Sequence, residues 1–189
     1  MAQETLPPGA SLSSEIISTR KAEGLNDWID AQPWRTDLKR RTQHYGWRYD
    51  YRARSVNAAD YLGPLPDIFE PLLSLPALEA AFGRTPDQII SNEYLPGQGI
   101  SAHVDCEPCF GRVIASLSLG SAAEMVFRHR VTGERRAAIL EPRSLLILTG
   151  SARYDWTHEI PARKIDVIDG ERIPRSRRIS LTFRTVNRE

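Results

Sequence analysis

The order of the predicted elements constrains the fold of this chain most strongly. The first part of the chain favours helices, whereas from Asp87 onwards short runs of strand-forming residues alternate with turn sequences such as Pro96-Gly97. Six strands are predicted, over residues 88–95, 113–119, 124–130, 136–140, 144–149 and 178–186. Helices followed by strands with no helices between them indicate antiparallel sheets, and therefore an α+β domain. A double-sheet jelly roll is one way for such a chain to close its edges.

The N-terminal half is predicted to contain two helical regions. Ser13 or Ser14 can cap a first helix that runs to about residue 31. The second helical region covers residues 66–82 and is bent or broken at its internal prolines. Residues 43–52, which lie between the two regions, are predicted to be extended. The polar stretch that precedes the last strand, residues 164–177, is predicted to be a loop.

The composition is that of an ordinary globular protein. A chain of 189 residues suits one compact domain, predicted over residues 13–189 after a mobile segment over residues 1–12. The formal net charge of +1 gives no whole-chain argument for binding nucleic acid or a membrane. No apolar run is long enough to span a bilayer, and the N-terminus lacks the layout of a signal peptide. We therefore expect a cytoplasmic protein without a membrane partner.

Two histidines and one aspartate form the most specific chemical pattern. His103 and Asp105 lie two residues apart, so in an extended segment their side chains point the same way and can bind one ion. His158 can complete the set from a neighbouring strand. Two imidazoles and one carboxylate can occupy one face of a ferrous ion and leave the other positions open, as in non-haem iron oxygenases. An isolated pair of this kind is common by chance, so the pattern needs further support.

The last predicted strand supplies that support. With a period of two, Arg178, Ser180, Thr182 and Arg184 share one face of the strand. A dicarboxylate such as 2-oxoglutarate can fill two open positions of the ion, and dioxygen a third. Its far carboxylate needs a fixed cation, and arginine provides a permanent charge with fork geometry. The alternative interpretation is the exposed polar face of an edge strand.

Four segments of the chain resemble the AlkB family of iron- and 2-oxoglutarate-dependent dioxygenases. They are residues 38–51 (LKRRTQHYGWRYDY), 92–105 (NEYLPGQGISAHVD), 143–158 (RSLLILTGSARYDWTH) and 178–184 (RISLTFR). Within that family, the chain is similar to the oxygenase domain of animal tRNA wobble-uridine hydroxylases. The resemblance implies a double-stranded β-helix, or jelly roll, with N-terminal helices buttressing one sheet. It also implies Fe(II) as cofactor, and 2-oxoglutarate and O2 as co-substrates.

The resemblance also assigns roles to residues. The implied iron ligands and catalytic residues are His103, Asp105 and His158. Arg178 corresponds to the arginine that pairs with the distal carboxylate of 2-oxoglutarate, with Tyr94 and Ser180 nearby. The residues implied near its keto-acid end are Arg184 and Asn92. Ser180 stands where some members of the family carry asparagine, a longer hydrogen-bonding residue.

A basic and aromatic segment indicates the substrate. Between residues 36 and 54 there are six basic and two acidic residues, a local excess of four positive charges. Cations that meet phosphates, interleaved with rings that stack on bases, suit single-stranded or flipped-out nucleotides. In AlkB-like proteins the corresponding region forms a lid over the target nucleotide. The candidate substrate residues are Arg41, His44, Tyr45, Trp47, Tyr49 and Tyr51. The alternation of these rings is equally typical of one face of a half-buried strand.

The two cysteines admit several interpretations. Cys106 and Cys109 are too few for a disulfide scaffold, so a reduced, intracellular setting is predicted. Their CxxC spacing also occurs in zinc and redox sites, but here it lacks a second pair or a thioredoxin-like context. Because they follow Asp105 directly, we expect them to form a loop at the rim of the active site.

These patterns favour a dioxygenase that acts on single-stranded DNA or on RNA, by oxidative demethylation of N-alkylated bases. Hydroxylation of a modified tRNA nucleoside is the alternative, and a protein or lipid substrate also stays open. Two other classes would fit the pattern less well. A zinc hydrolase would leave Arg178 and Arg184 without a role, and a non-catalytic binding module would normally have lost a metal ligand. No obligatory protein partner is inferred.

Overall fold

The structure is a computed structural model that describes residues 6–188. Its helices are α1 (Thr19–Asp30), α2 (Glu70–Leu73), α3 (Pro76–Phe82) and α4 (Gly150–Tyr154), with single 3-10 turns at Ala58–Asp60 and Asp67–Phe69. Its strands are β1 (Ala10–Ser13), β2 (Thr42–Tyr45), β3 (Gln88–Tyr94), β4 (Ile100–His103), β5 (Ile114–Gly120), β6 (Ala123–His129), β7 (Arg135–Leu140), β8 (Leu145–Leu148), β9 (Trp156–Ile160), β10 (Ile165–Ile168), β11 (Glu171–Pro174) and β12 (Arg178–Arg184).

Two antiparallel sheets face each other. The major sheet has the strand order β1-β8-β5-β12-β3-β2, and the minor sheet has the order β4-β9-β6-β7. Strands β10 and β11 form a separate hairpin. Apolar side chains of both sheets, among them Leu146 and Leu148 from the major sheet and Phe127 from the minor sheet, pack together between them. The predicted α+β fold with a jelly roll is therefore confirmed.

Strand β12 divides the interior into two environments. Ile179, Leu181 and Phe183 belong to the core that the helices cover, together with Leu25 and Ile29 of α1. The alternate residues of β12 therefore point between the two sheets, because successive side chains of a strand face opposite ways. This arrangement confirms that the helices buttress one sheet. It also leaves the polar face of β12 directed toward the minor sheet.

Helix α1 begins later than predicted. Its N-cap is Ser18, whose side chain accepts a hydrogen bond from the backbone N–H of Lys21 at 3.2 Å. Ser13, a predicted cap, instead ends β1, which pairs with β8 through partners such as Ala10 and Leu148. The expected mobile segment is therefore wrong for residues 10–12, which lie in the sheet. Residues 1–5 lie outside the described residues.

All six predicted strands are present, with ends within two residues of the prediction. The sequence interpretation missed β1, β4 and β9, and it predicted a loop where β10 and β11 form a hairpin. It also extended β2 too far: this strand ends at Tyr45, because the chain turns at Gly46, which has a φ of 76°. A side chain at this glycine would place its Cβ 2.0 Å from the backbone oxygen of Asp87. Among the described helices, none has the length and apolar character that a bilayer crossing requires.

Candidate iron and 2-oxoglutarate site

The three predicted metal ligands converge between the sheets. His103 ends β4 and lies directly opposite His158 of β9, while Asp105 follows two residues after β4. The Nε2 atoms of His103 and His158 lie 3.5 and 3.4 Å from Asp105 Oδ1. One ligand atom from each of the three residues falls within 4.8 Å of the others. The set fits one small metal ion, and two nitrogens with one carboxylate oxygen suit ferrous iron.

Neighbouring groups set the orientation and the protonation state of these ligands. The Nδ1 atom of His103 lies 2.8 Å from the carbonyl oxygen of Ser101, so a ring N–H there donates to that oxygen and leaves Nε2 free to bind metal. Burial alone would raise the pKa of Asp105, but the Arg184 charge and the two neighbouring histidine side chains hold that pKa well below its usual value. Burial lowers the pKa of His158, and the hydrogen bond that His158 donates to Asp105 opposes this shift. A charged carboxylate and a neutral imidazole are the protonation states that a metal requires.

Two arginines fix the aspartate from opposite sides. Arg184 of β12 donates from Nε to Asp105 Oδ2 at 2.7 Å. Arg153 of α4 is almost completely buried, and its Nη1 donates to the backbone oxygen of Asp105 at 3.0 Å. The sequence interpretation gave Arg153 no role. Its only signal was a place inside the segment that resembles the AlkB family, because charge patterning does not distinguish a buried arginine from an exposed one.

The other end of β12 has a buried cation that lacks an anionic partner. Arg178 is 2% exposed and donates from Nη2 to Ser118 Oγ at 3.0 Å. Its Nε and Nη1 atoms have no hydrogen-bond partner within residues 6–188. Burial lowers the pKa of this guanidinium to about 10. Two unsatisfied donors on a buried cation fit the distal carboxylate of 2-oxoglutarate, which can accept two parallel hydrogen bonds.

A cavity of about 360 Å³ connects these groups. The candidate residues that line it are His103, Asp105, His158, Asn92, Tyr94, Ser180 and Arg184. Arg178 is not among the lining residues, but its cross-strand neighbour Tyr94 is. The carbonyl oxygen of the Asn92 side chain accepts a hydrogen bond from Arg40 Nε at 3.0 Å. The residues predicted to hold iron and 2-oxoglutarate, apart from Arg178, therefore surround one cavity.

Only two of the predicted substrate residues reach this cavity. Tyr49 and Tyr51 line it, with ring centroids 4.9 Å apart. Three other lining residues come from the same segment, and the sequence interpretation did not single them out. They are Leu38, Arg40 and Arg54. We call Leu38, Arg40, Tyr49, Tyr51 and Arg54 the lid.

The other four candidates do not line the cavity. Arg41 forms a bidentate ion pair with Glu93 at 2.6 and 2.8 Å. Tyr45 packs against Trp28 and Phe69 on the helix side. Trp47 lines a different pocket. His44 lies behind the lid, with its ring 5.7 Å from that of Tyr51, and burial lowers its pKa to about 4.

The cysteines also differ from the prediction. Cys106 and Cys109 are joined by a disulfide with a Cα–Cα distance of 5.3 Å, so the expected reduced pair is not what the structure contains. Their expected position is correct, since Cys106 lines the cavity beside Asp105.

Comparison with known proteins identifies the family. The sequence model of the 2OG-Fe(II) oxygenase superfamily matches residues 22–184. The chain belongs to this superfamily. It is therefore a 2-oxoglutarate-dependent dioxygenase that uses ferrous iron, 2-oxoglutarate and dioxygen, and this excludes the zinc-hydrolase and binding-module interpretations. The match spans both sheets except β1, and it includes every residue of the candidate site.

Individual relatives narrow the group to AlkB-like oxygenases. Protein L905 of Acanthamoeba polyphaga mimivirus, described as uncharacterized, is 36% identical over 182 residues, covering 96% of this chain and 86% of that protein. The tRNA (carboxymethyluridine(34)-5-O)-methyltransferase ALKBH8 of Macaca fascicularis is 40% identical over 173 residues, covering 87% of this chain. The chain spans only 26% of the length of that protein. OsALKBH1 shares the fold, with a TM-score of 0.72 at 18% identity over 96% of this chain and 98% of that one.

Proposed function

We propose that this dioxygenase oxidises alkyl groups on the bases of nucleic acid, removing them from N-alkylated bases. His103, Asp105 and His158 hold the iron. Arg178 pairs with the distal carboxylate of 2-oxoglutarate, and Tyr94 and Ser180 lie near this carboxylate. Asn92 and Arg184 lie at its keto-acid end. With these partners, iron supplies the oxidation of a substrate C–H bond while 2-oxoglutarate is converted to succinate and carbon dioxide.

The lid is the observation that carries the choice of substrate class. Tyr49 and Tyr51 offer two rings at the cavity mouth, and Tyr49 also contacts Phe110, with ring centroids 5.4 Å apart. Arg54 adds an exposed guanidinium beside them, and no described residue forms a salt bridge with it. Rings for a flat base and a cation for its phosphate are what a flipped-out nucleotide needs. The cavity volume falls in the range of pockets that hold small ligands.

The apolar part of the cavity supports an alkyl group as the target. The residues opposite the lid that line it include Met125, Leu148 and Ile160. These side chains exclude water from a methyl-sized group and make no hydrogen bonds with it. Met125 and Ile160 lie on the same minor sheet as His103 and His158, so an apolar substituent beside them would face the oxidising centre.

Relatives support nucleic acid as the class without deciding the reaction. The Macaca protein is named for an activity on tRNA. A 36% identical Arabidopsis thaliana relative, of which the chain spans 58%, is named an alkylated DNA repair protein ALKBH8 homolog. The tRNA name favours a second candidate, hydroxylation of a modified tRNA nucleoside. The chemistry separates them: a hydroxyl placed on carbon attached to a base nitrogen collapses with loss of formaldehyde, whereas on carbon attached to carbon it stays.

Nucleoside mass spectrometry tests the proposal. The protein is incubated with Fe(II), 2-oxoglutarate and a mixture of methylated single-stranded DNA and cellular tRNA. Loss of a methylated base that depends on 2-oxoglutarate supports demethylation, and a tRNA nucleoside that gains one oxygen supports the second candidate. If succinate forms while neither pool changes, the nucleic-acid proposal is wrong and the substrate belongs to another class, such as protein or lipid.

The lid offers a matched pair of variants. Arg54→Gln should raise KM for an oligonucleotide substrate about tenfold, because one charged contact to phosphate is lost, and should reduce the salt dependence of binding. Arg52→Gln is the control, because Arg52 is equally exposed but lies outside the cavity lining. Equal effects of both substitutions would show that only general surface charge matters.

A further inference from the structure

The disulfide between Cys106 and Cys109 lies between the iron site and the lid. Cys106 directly follows Asp105 and lines the cavity. Both cysteines are buried, with exposed fractions of 6% and 8%. They are the only cysteines in the sequence, so the pair has no competing partner within the chain. The iron chemistry proposed above makes no use of it.

The sulfur atoms touch the lid at one point. Each lies 3.4 Å from the backbone oxygen of Arg54. Arg54 has a φ of 52°, in the left-handed region that residues other than glycine, asparagine and aspartate seldom adopt. A residue persists in such a conformation only when its surroundings hold it there. The disulfide is part of those surroundings, because it packs against the carbonyl group of that residue.

The other contacts of the disulfide loop are with fixed parts of the fold. The backbone oxygen of Cys106 accepts hydrogen bonds from Phe110 at 3.2 Å and from Arg153 at 3.4 Å. The backbone oxygen of Cys109 accepts one from Asn187 at 2.9 Å. When the disulfide is cleaved, the two sulfurs must separate to van der Waals distance inside a buried space. Since these hydrogen bonds hold the loop backbone, the exposed segment at Arg54 is the neighbour that has to give way.

We propose that Cys106 and Cys109 form a redox-active pair whose disulfide holds the lid at Arg54 and whose reduction releases it. The co-reactant is a dithiol reductant. One of its thiolates attacks the disulfide and forms a mixed disulfide, and its second sulfur then closes a ring. The reductant loses two electrons and two protons, and the cysteines become two thiols. Asp105 keeps its contacts with Arg184 and Arg153, so the metal ligands stay in place.

Thiol trapping tests the redox step. The folded protein is treated with dithiothreitol at a concentration that leaves its circular dichroism unchanged, then alkylated with N-ethylmaleimide and weighed by mass spectrometry. We expect two alkyl groups after reduction and none after reoxidation with glutathione disulfide. A pair that stays bonded until the protein unfolds is purely structural, and a pair that glutathione disulfide cannot oxidise is not a redox couple. Either result would overturn the proposal.

Limited trypsin digestion tests the link to the lid without any substrate. Reduced protein, freed of reductant under nitrogen, is compared with oxidised protein at the peptide bond after Arg54. We expect cleavage at least about fivefold faster in the reduced form, because local opening exposes this bond. Cleavage after Arg172, in the exposed β10–β11 hairpin, is the internal control and should not change. Equal rates after Arg54 in both forms would contradict the proposal.

A variant separates reduction from other effects of the reagents. The double substitution Cys106→Ser and Cys109→Ser removes the disulfide permanently, so its cleavage after Arg54 should be fast with or without dithiothreitol. If this variant keeps the slow cleavage of the oxidised protein while remaining folded by circular dichroism, the disulfide does not hold the lid. These readouts do not depend on nucleic acid as substrate, so they can fail or succeed independently of the proposed function.

Discussion

Each end of β12 carries an arginine, but the two arginines differ in whether an anion lies beside them. Arg178 and Arg184 lie on one face of the strand, separated by roughly 20 Å of chain. Arg184 is neutralised by Asp105, hydrogen-bonded to Gln88 at 3.2 Å, and stacked over Phe110 at 4.6 Å. Within the described part of the chain, Arg178 has a single hydroxyl partner and two unsatisfied donors. Arg184 is therefore paired with an anion of the protein itself, whereas Arg178 has no carboxylate partner among the described residues.

This difference explains how one strand can organise a cofactor and select a co-substrate. A buried cation without an anionic partner destabilises the folded protein. In the proposed site, a carboxylate bound at Arg178 would offset this destabilisation. At Arg184 the pair is already formed, and its role is to hold the Asp105 carboxylate for the metal. A monoacid would reach the metal but leave Arg178 unpaired. In the proposed site, the strand would therefore favour a diacid of suitable length.

The largest effect on turnover is expected from removing Asp105, the anion that pairs with Arg184. Asp105→Ala should reduce 2-oxoglutarate turnover at least about a thousandfold, because the iron loses its only carboxylate ligand. Succinate formation measures this directly. Binding of a labelled oligonucleotide should survive, which serves as the control for folding. Unchanged turnover in this variant would refute the assigned iron site.

Substitution of Arg178, at the other end of β12, should instead weaken binding of the co-substrate. Arg178→Gln should raise KM for 2-oxoglutarate about a hundredfold, because two charge-assisted hydrogen bonds are lost, while kcat at saturation changes little. Steady-state kinetics with varied 2-oxoglutarate provide the measurement. Ser180→Ala, on the same face, should have a much smaller effect. If the Arg178 variant kept the wild-type KM, Arg178 would not belong to the co-substrate site.

The stability of the metal-free protein should respond in the opposite order. Arg184→Met removes the permanent cation beside the buried Asp105 carboxylate, and should lower the free energy of unfolding by about 3 kcal/mol. Arg178→Met removes a cation that has no anionic partner, and should leave the free energy of unfolding unchanged or raise it. Urea denaturation of both variants without metal compares them. Equal losses of stability would mean that the two ends are not electrostatically different.

The smallest effect is a change in acid sensitivity. Although burial opposes it, Arg184 and the two histidines depress the pKa of Asp105 in the folded state. Below about pH 4 the unfolded chain takes up a proton that folded Asp105 does not, so the free energy of unfolding falls as pH falls. Arg184→Met should weaken this dependence, while Arg178→Met should keep the wild-type slope. Urea denaturation of metal-free protein between about pH 4 and pH 2 tests this, and identical slopes in all three proteins would contradict it.

The sequence predicted six of the sheet strands and the convergence of His103 and Asp105 because their signals are local. A period of two fixed the polar face of β12, and the two-residue spacing of His103 and Asp105 predicted their convergence. The β10–β11 hairpin also had a signal that was overlooked: Asp169-Gly170, both with positive φ, lies between alternating residues.

Other features depend on contacts distant in sequence. The end of β2 depends on how Gly46 passes Asp87, and this contact decides which aromatic rings reach the cavity. Arg41 was predicted to meet substrate, but its ion pair with Glu93 links residues that are 52 positions apart. Neither contact leaves a periodic pattern in the sequence. For this reason the substrate residues were predicted less well than the metal ligands.

The most direct test is an anaerobic titration of the protein with Fe(II) and 2-oxoglutarate, followed by visible charge-transfer absorption of the iron-bound keto acid. We expect a saturable absorption band in the wild-type protein. Arg178→Gln should show the same band only at much higher 2-oxoglutarate, and Asp105→Ala should show none. A wild-type protein without the band would contradict the proposed iron and 2-oxoglutarate site. An unchanged titration in the Arg178 variant would contradict the role of β12 in binding 2-oxoglutarate.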